Sequence, residues 1–218
     1  MMSDLHTLIK PPEDREGEGN DGRARRGARD FDRNHEKILD AAAELLAEKT
    51  SSALTVALVA ERSGLSVVTV YNHFPGAQAG IVVGVSSRVM ARGVQRYVEQ
   101  APTLSGTEHP RALLSALVDE FLQNRELINR ALAVGIELAA ENAWLPDPTD
   151  LSLRSIEMAG ETVELPASAA ELAVLQTTFF RGAMYAWCVR SVSDEEFACL
   201  AVQSFDVAIA VAEARHCE

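Results

Sequence analysis

Residues 55–74 read TVALVAERSGLSVVTVYNHF, and this stretch decides the fold. Thr55 offers a hydroxyl to cap a helix. The helix runs from Val56 to about Arg62 and stops at Gly64, the residue best able to take a positive φ. Ser66 then caps a second helix, Val67 to His73 or Phe74, which Pro75-Gly76 ends. Two short helices joined by a glycine turn make a helix-turn-helix. Such a unit needs a small residue where its helices cross, here Ala60. It also needs apolar clamps, here Val59, Leu65 and Val70. An ordinary helical hairpin meets the same pattern, so the tail of the second helix carries weight. Thr69, Tyr71, Asn72 and His73 crowd polar groups directly after Val67-Val68. In a recognition helix the valines can touch thymine methyls while the polar groups reach base edges or phosphates. Tyr71 equally suits a buried ring with a satisfied hydroxyl, and His73 a partly exposed surface site.

Working outward, Ile38, Ala42, Leu45 and Leu46 fall at helical spacing in a first helix. Asp30 or Asp32 is its cap, Lys49 lies at its end, and Thr50-Ser51-Ser52 breaks it. After Pro75-Gly76 a long helix is expected over Ala77 to Gln100, with Gly80, Gly84 and Gly93 as places to bend. Each glycine costs about 1 kcal/mol against alanine. Pro110 is expected at the first position of a helix over Arg111 to Gln123. Further helices are expected over Arg125 to Asn142 and Thr149 to Gly160. Ser168 with Glu171, and Ser193 with Glu196, form capping boxes for helices to about Arg190 and Ala214. The count is nine helices and no strand, an all-α chain.

The chain has 218 residues and a net charge of −12. Such a balance excludes a protein that coats nucleic acid or an anionic membrane. The charge is unevenly placed. Residues 22–84 hold 8 basic and 7 acidic groups, whereas residues 85–218 hold 10 and 19. Five of those eight basic groups are the arginines 23, 25, 26, 29 and 33. Residues 1–30, with Pro11-Pro12 and four glycines among charges, read as a disordered arm. No signal peptide or membrane span is legible, and three cysteines (Cys188, Cys199, Cys217) in no zinc spacing point to a reducing cytoplasm. His6, His35, His73, His109 and His216 pair with no carboxylate or cysteine at a known catalytic or metal spacing. The expectation is a non-enzyme without cofactor or metal.

The stretch ILDAAAELLAEKTSSALTVALVAERSGLSVVTVYNHFPG resembles the DNA-binding end of the TetR family of transcriptional repressors. The likeness covers about Arg33 to Ala79, and YNHF is similar to the family's Tyr-x-His-Phe signature. It implies that Tyr71 and His73 contact phosphates, that Thr69 and Asn72 lie in or near the groove, and that Phe74 packs as structure. The candidate DNA-contacting residues are Thr55, Ser66, Val67, Val68, Thr69, Tyr71, Asn72 and His73, joined by Arg23, Arg25, Arg26 and Arg29 of the arm. One departure stands out: the family's usual lysine three residues after the phenylalanine is Ala77 here. Beyond the arm (1–30) read from composition, the resemblance implies a helix-turn-helix domain (31–84) and a helical ligand-binding and dimerisation domain (85–218). In the last two helices, Phe180, Ala183 and Trp187 make one stripe, and Phe197, Leu200, Ala201, Val207, Ala208 and Val211 another. The resemblance pairs these helices (about 168–190 and 193–214) across a homodimer, and a monomeric core explains the stripes equally well. Phe121, Trp144, Met158, Phe179 and Tyr185 are the candidate ligand contacts, with an apolar effector preferred. The expected function is a repressor released from a palindromic DNA operator by that effector. The alternative is a helical sensor or scaffold that has lost DNA binding.

Overall fold

The computed structural model describes residues 22–48, 54–139 and 148–216. These form nine α-helices and no strand among the described residues. They are α1 (Gly22–Ala47), α2 (Val56–Ser63), α3 (Val67–His73), α4 (Ala77–Gln100), α5 (Glu108–Gln123), α6 (Arg125–Ala139), α7 (Thr149–Gly160), α8 (Ala169–Cys188) and α9 (Asp194–His216). A 3₁₀ turn, Ala101–Thr103, follows α4. The all-α expectation holds.

Two boundaries differ from the sequence reading. α1 begins at Gly22, so residues 22–30 of the expected arm are helical. Ala24, Ala28 and the arginines between them are strong helix formers, enough to outweigh Gly27. Residues 1–21 lie outside the described part. α5 begins at Glu108, not behind Pro110. The Glu108 carboxylate reaches back to accept the Ser105 N–H at 2.8 Å and its hydroxyl at 3.1 Å, which starts the helix early. Pro110 is tolerated because a first-turn N–H lacks an intrahelical partner anyway.

The chain divides into two compact units. The first holds α1, α2, α3, the start of α4 up to residue 88, and α6. α1 buries Ile38, Leu39, Ala41, Ala42, Leu45 and Leu46, the face its 3.6-residue periodicity foretold. α6, which the sequence grouped with the later helices, packs on α1 here through buried Leu127, Ile128 and Ala131. The Arg130 guanidinium donates to the Glu48 carbonyl at the end of α1. Arg88 of α4 donates to Asp40 at 2.7 Å, to Glu36 at 3.3 Å and to the Leu39 carbonyl at 3.2 Å.

The second unit holds α4 from residue 89, α5, α7, α8 and α9. Its core is a run of rings. Phe121 lies 6.2 Å from Phe180, Phe180 6.5 Å from Phe197, and Trp187 stacks on Phe197 at 4.5 Å. The buried indole donates to Asp194 at 2.7 Å, joining the end of α8 to the start of α9. Burial pushes the Tyr97 phenol up to about 12, so it stays protonated. Its oxygen lies 3.1 Å from His109 Nδ1, and its hydroxyl donates to the Met158 sulfur at 3.4 Å. Glu120 is buried and bound by Arg92 at 3.1 Å and by Arg96, which ties α5 to α4. Both predicted capping boxes form hydrogen bonds: the Glu171 N–H donates to Ser168 Oγ, and Ser193 and Glu196 exchange two bonds.

α4 is helical throughout, and two of its glycines sit where a neighbour approaches closely. A Cβ on Gly84 would lie 2.9 Å from Leu39 Cδ2 and 3.0 Å from Phe74 Cε1. One on Gly93 would lie 3.0 Å from the Ala116 carbonyl oxygen and 3.1 Å from Leu117 Cα. Backbone yields less readily than a side chain. Gly93→Ala should therefore destabilise the protein by about 1–3 kcal/mol, and Gly84→Ala by less, in urea unfolding. Equal stability of wild type and Gly93→Ala would contradict this packing.

Candidate nucleic-acid interface

α2, α3 and the turn between them are held by groups that the sequence assigns. The Leu58 N–H donates to Thr55 Oγ1 at 3.2 Å, and the Thr69 N–H to Ser66 Oγ at 3.0 Å. The two hydroxyls of Ser66 and Thr69 are themselves 2.8 Å apart. Gly64 takes φ 68°. Its N–H bonds back to the Glu61 carbonyl, and that of Leu65 to the Ala60 carbonyl, the double closure of a left-handed helix end. Val59, Ala60 and Val70 are buried where the helices meet. Thr55, Ser66 and Thr69 thus have structural duties as caps.

The other side of α3 faces outward. Val67 is 42% exposed, Val68 68% and Tyr71 48%, and Asn72 is also exposed. Tyr71 is therefore not the buried ring that was one of its two readings. Phe74 is buried, as the resemblance implies. Its ring stacks on His35 of α1 at 4.6 Å and fills the space beside Gly80 and Gly84.

His73 is a different case. Its ring lies 4.0 Å from Phe31 and 5.9 Å from His35. Its Nδ1 is buried with no hydrogen-bond partner among the described residues. Burial, then the neighbouring His35, push it below the ordinary histidine value. Burial does the same to His35, outweighing the opposing pull of Glu36 and Asp32. Phe31 and His35 are the contacts that sequence reasoning missed. Their spacing of four on α1 was the available signal.

The cations around the unit are largely engaged. Arg62 binds Glu48 at 2.6 Å and Glu44 at 3.3 Å. Arg33 pairs with Asp30 at 2.7 Å, and Arg29 is exposed. Arg23, Arg25 and Arg26 lie in the first turns of α1. Ala77 takes φ 51° and its N–H donates to the Phe74 carbonyl at 2.8 Å, so that donor is not free at the start of α4.

Residues 38–79 match the family model described as bacterial regulatory proteins, tetR family. The chain carries the helix-turn-helix of the tetR family. No curated protein matches. Among solved structures, the chain is similar to a TetR transcriptional regulator from Rhodococcus sp. RHA1, at 19% identity and a TM-score of 0.58. That match covers 83% of this chain and 97% of the other, and shows a shared fold. Residues 38–79 are thus similar to the DNA-binding segment of tetR-family regulators.

The ligand candidates are scattered. Phe121 is core, and Met158 accepts from Tyr97. Phe179 and Tyr185 are 39% and 57% exposed on α8, and Trp144 lies outside the described residues. None of these four described residues lines the cleft of about 300 Å³ in the second unit, which is lined by Arg111, Leu165, Phe205, Asp206 and Ile209 among others. Arg111 spans it to Asp206.

The lowered histidines set a pH dependence. Each is harder to protonate folded than unfolded, so unfolding takes up protons. Stability is full above the ordinary value of 6.5 and falls as the pH drops below it. Melting temperatures between pH 7.5 and 5 should show this loss, and a variant with His35→Phe and His73→Phe should show a flatter profile. A variant that loses as much as wild type would refute the assignment.

Proposed function

We propose that this chain is a dimeric, ligand-responsive repressor that acts in the cytoplasm on a palindromic operator. The observation that carries the reading is the outward face of α3 inside a segment matching the tetR family. A homodimer would offer two such helices to successive major grooves. Asn72, Thr69 and the valines lie on or beside that face. Tyr71 suits a phosphate contact. His73, neutral at pH 7, would act as a hydrogen-bond donor and not as a cation. Arg23, Arg25, Arg26 and Arg29 would supply the charge that Ala77 does not.

The dimer reading rests on α8 and α9. Phe180, Ala183, Trp187, Phe197, Ala201 and Ala208 point into the unit's core, so the sequence stripes divide. Val174, Tyr185, Val189, Leu200 and Val207 remain 37–57% exposed, with Gly182 open beside them. An apolar surface of this kind suits a partner. α9 is also long and apolar enough to cross a membrane by length and composition. Asp206 in its middle pairs with Arg111 at 2.5 Å, and its other face is core, which favours the protein partner. Tyr185→Glu should weaken dimerisation by about 30-fold or more, the scale of a central interface residue. Sedimentation shows it, and an unchanged dimer would remove α8 from the interface.

An effector, apolar by preference, would bind the second unit and favour a state that no longer fits the operator. A thermal-shift screen finds it, since ligand raises the apparent stability of the state it binds. A second reading, a sensor without DNA binding, is favoured by Ala77 and its engaged N–H. Gel shift on the DNA flanking the gene separates the two. Tyr71→Ala should weaken binding, and Arg26→Ala should lower the salt slope by about one. No retarded band at low salt for the folded protein would leave the sensor reading standing.

A further inference from the structure

Two branched apolar side chains, one carboxamide and one phenol make up the outward surface of α3. Val68, at 68% exposed, has little packing role within the protein. The hydroxyls of Ser66 and Thr69 are engaged at the helix cap. His73 lies against Phe31. Cations are missing altogether: no Asp, Glu, Lys or Arg occurs between Arg62 and Arg88. Those two arginines are themselves bound to carboxylates on α1 or just after it, Arg62 to Glu44 and Glu48, and Arg88 to Glu36 and Asp40.

This inventory limits which base pairs α3 can read. The major-groove edge of guanine offers two acceptors, N7 and O6, best met by arginine or lysine. α3 has neither. Thymine offers a methyl group, which valine can cover. Adenine offers an acceptor and a donor, which a carboxamide matches in two bonds. We propose that the helix-turn-helix reads an A·T-rich half-site in which Val67 and Val68 pack on thymine 5-methyl groups and Asn72 reads an adenine. Base specificity is then carried by apolar contact, and the phosphates only position the helix. The proposal rests on the DNA-binding reading above and names the sequence class of its target.

The test uses the full-length protein. Bound duplexes are selected from a random library at low salt, and the selected site is remade with deoxyuridine for thymidine, one position at a time. Only a methyl group is lost at each change. Affinity should fall about fourfold for each contacted methyl, the worth of one buried carbon group. Val68→Ser should lose the thymine-over-uracil preference at one of the contacted positions and melt at the wild-type temperature, because the side chain is exposed. Asn72→Ala should lose its preference for adenine at one position. Equal binding of all uracil sites by wild type overturns the proposal, as do selected half-sites without thymine. So does a Val68→Ser and Val67→Ser double variant that keeps the methyl preference. Failure to retard any duplex would instead defeat the DNA-binding reading itself.

Discussion

The helix-turn-helix depends on one ring. Phe74 is the residue after α3, and it is held on three sides. His35 of α1 stacks on it, Gly80 and Gly84 of α4 clear room for it, and the α3 backbone bonds back from its N–H to Val70. A seven-residue helix has too few internal bonds to be stable alone. Its direction is set by what its end is fixed to. With Phe74 seated, Val70 is driven inward and Val68 and Tyr71 outward, since helical geometry places them on different sides.

The same ring explains two features that look unrelated. Gly84 is required because any Cβ would meet the Phe74 edge and Leu39 together. His35 is low in proton affinity because it lies in this apolar stack. Removing the ring would release both constraints, and with them the register of α3 on α1.

Legibility in the sequence follows the range of the forces involved. The caps of α2 and α3, the glycine turn and the clamp Val59–Ala60–Val70 are local, and their chemistry is written within a few residues. All of these were readable, and so was the helix count, whereas the expected cap of α1, Asp30 or Asp32, lies inside a helix that starts at Gly22. The long-range contacts were not. Nothing in Arg125–Ala139 announces that α6 packs on α1, because an apolar helical face does not name its partner. Nor does the sequence show which side of α8 is core. Phe180 and Phe179 are adjacent and equally apolar, yet one is buried and the other is 39% exposed. Trp187 settles the matter through contacts with the next helix, its stacking on Phe197 and its bond to Asp194. The start of α1 was misjudged because glycines and charges look disordered in composition, while alanine and arginine still favour helix.

The engaged arginines have a kinetic side. Random DNA holds a protein through phosphate charge, and that hold lengthens each visit to a wrong site. Here the cations that flank α3 in sequence, Arg62 and Arg88, are already bound to carboxylates of the same unit. A reader of the kind proposed would leave wrong sites quickly and travel by short hops more than by long slides. Its lifetime on the right site would come from shape fit and apolar contact, and would thus change little with salt compared with its arrival rate. A cell could then keep few copies of it without losing many to the rest of the chromosome.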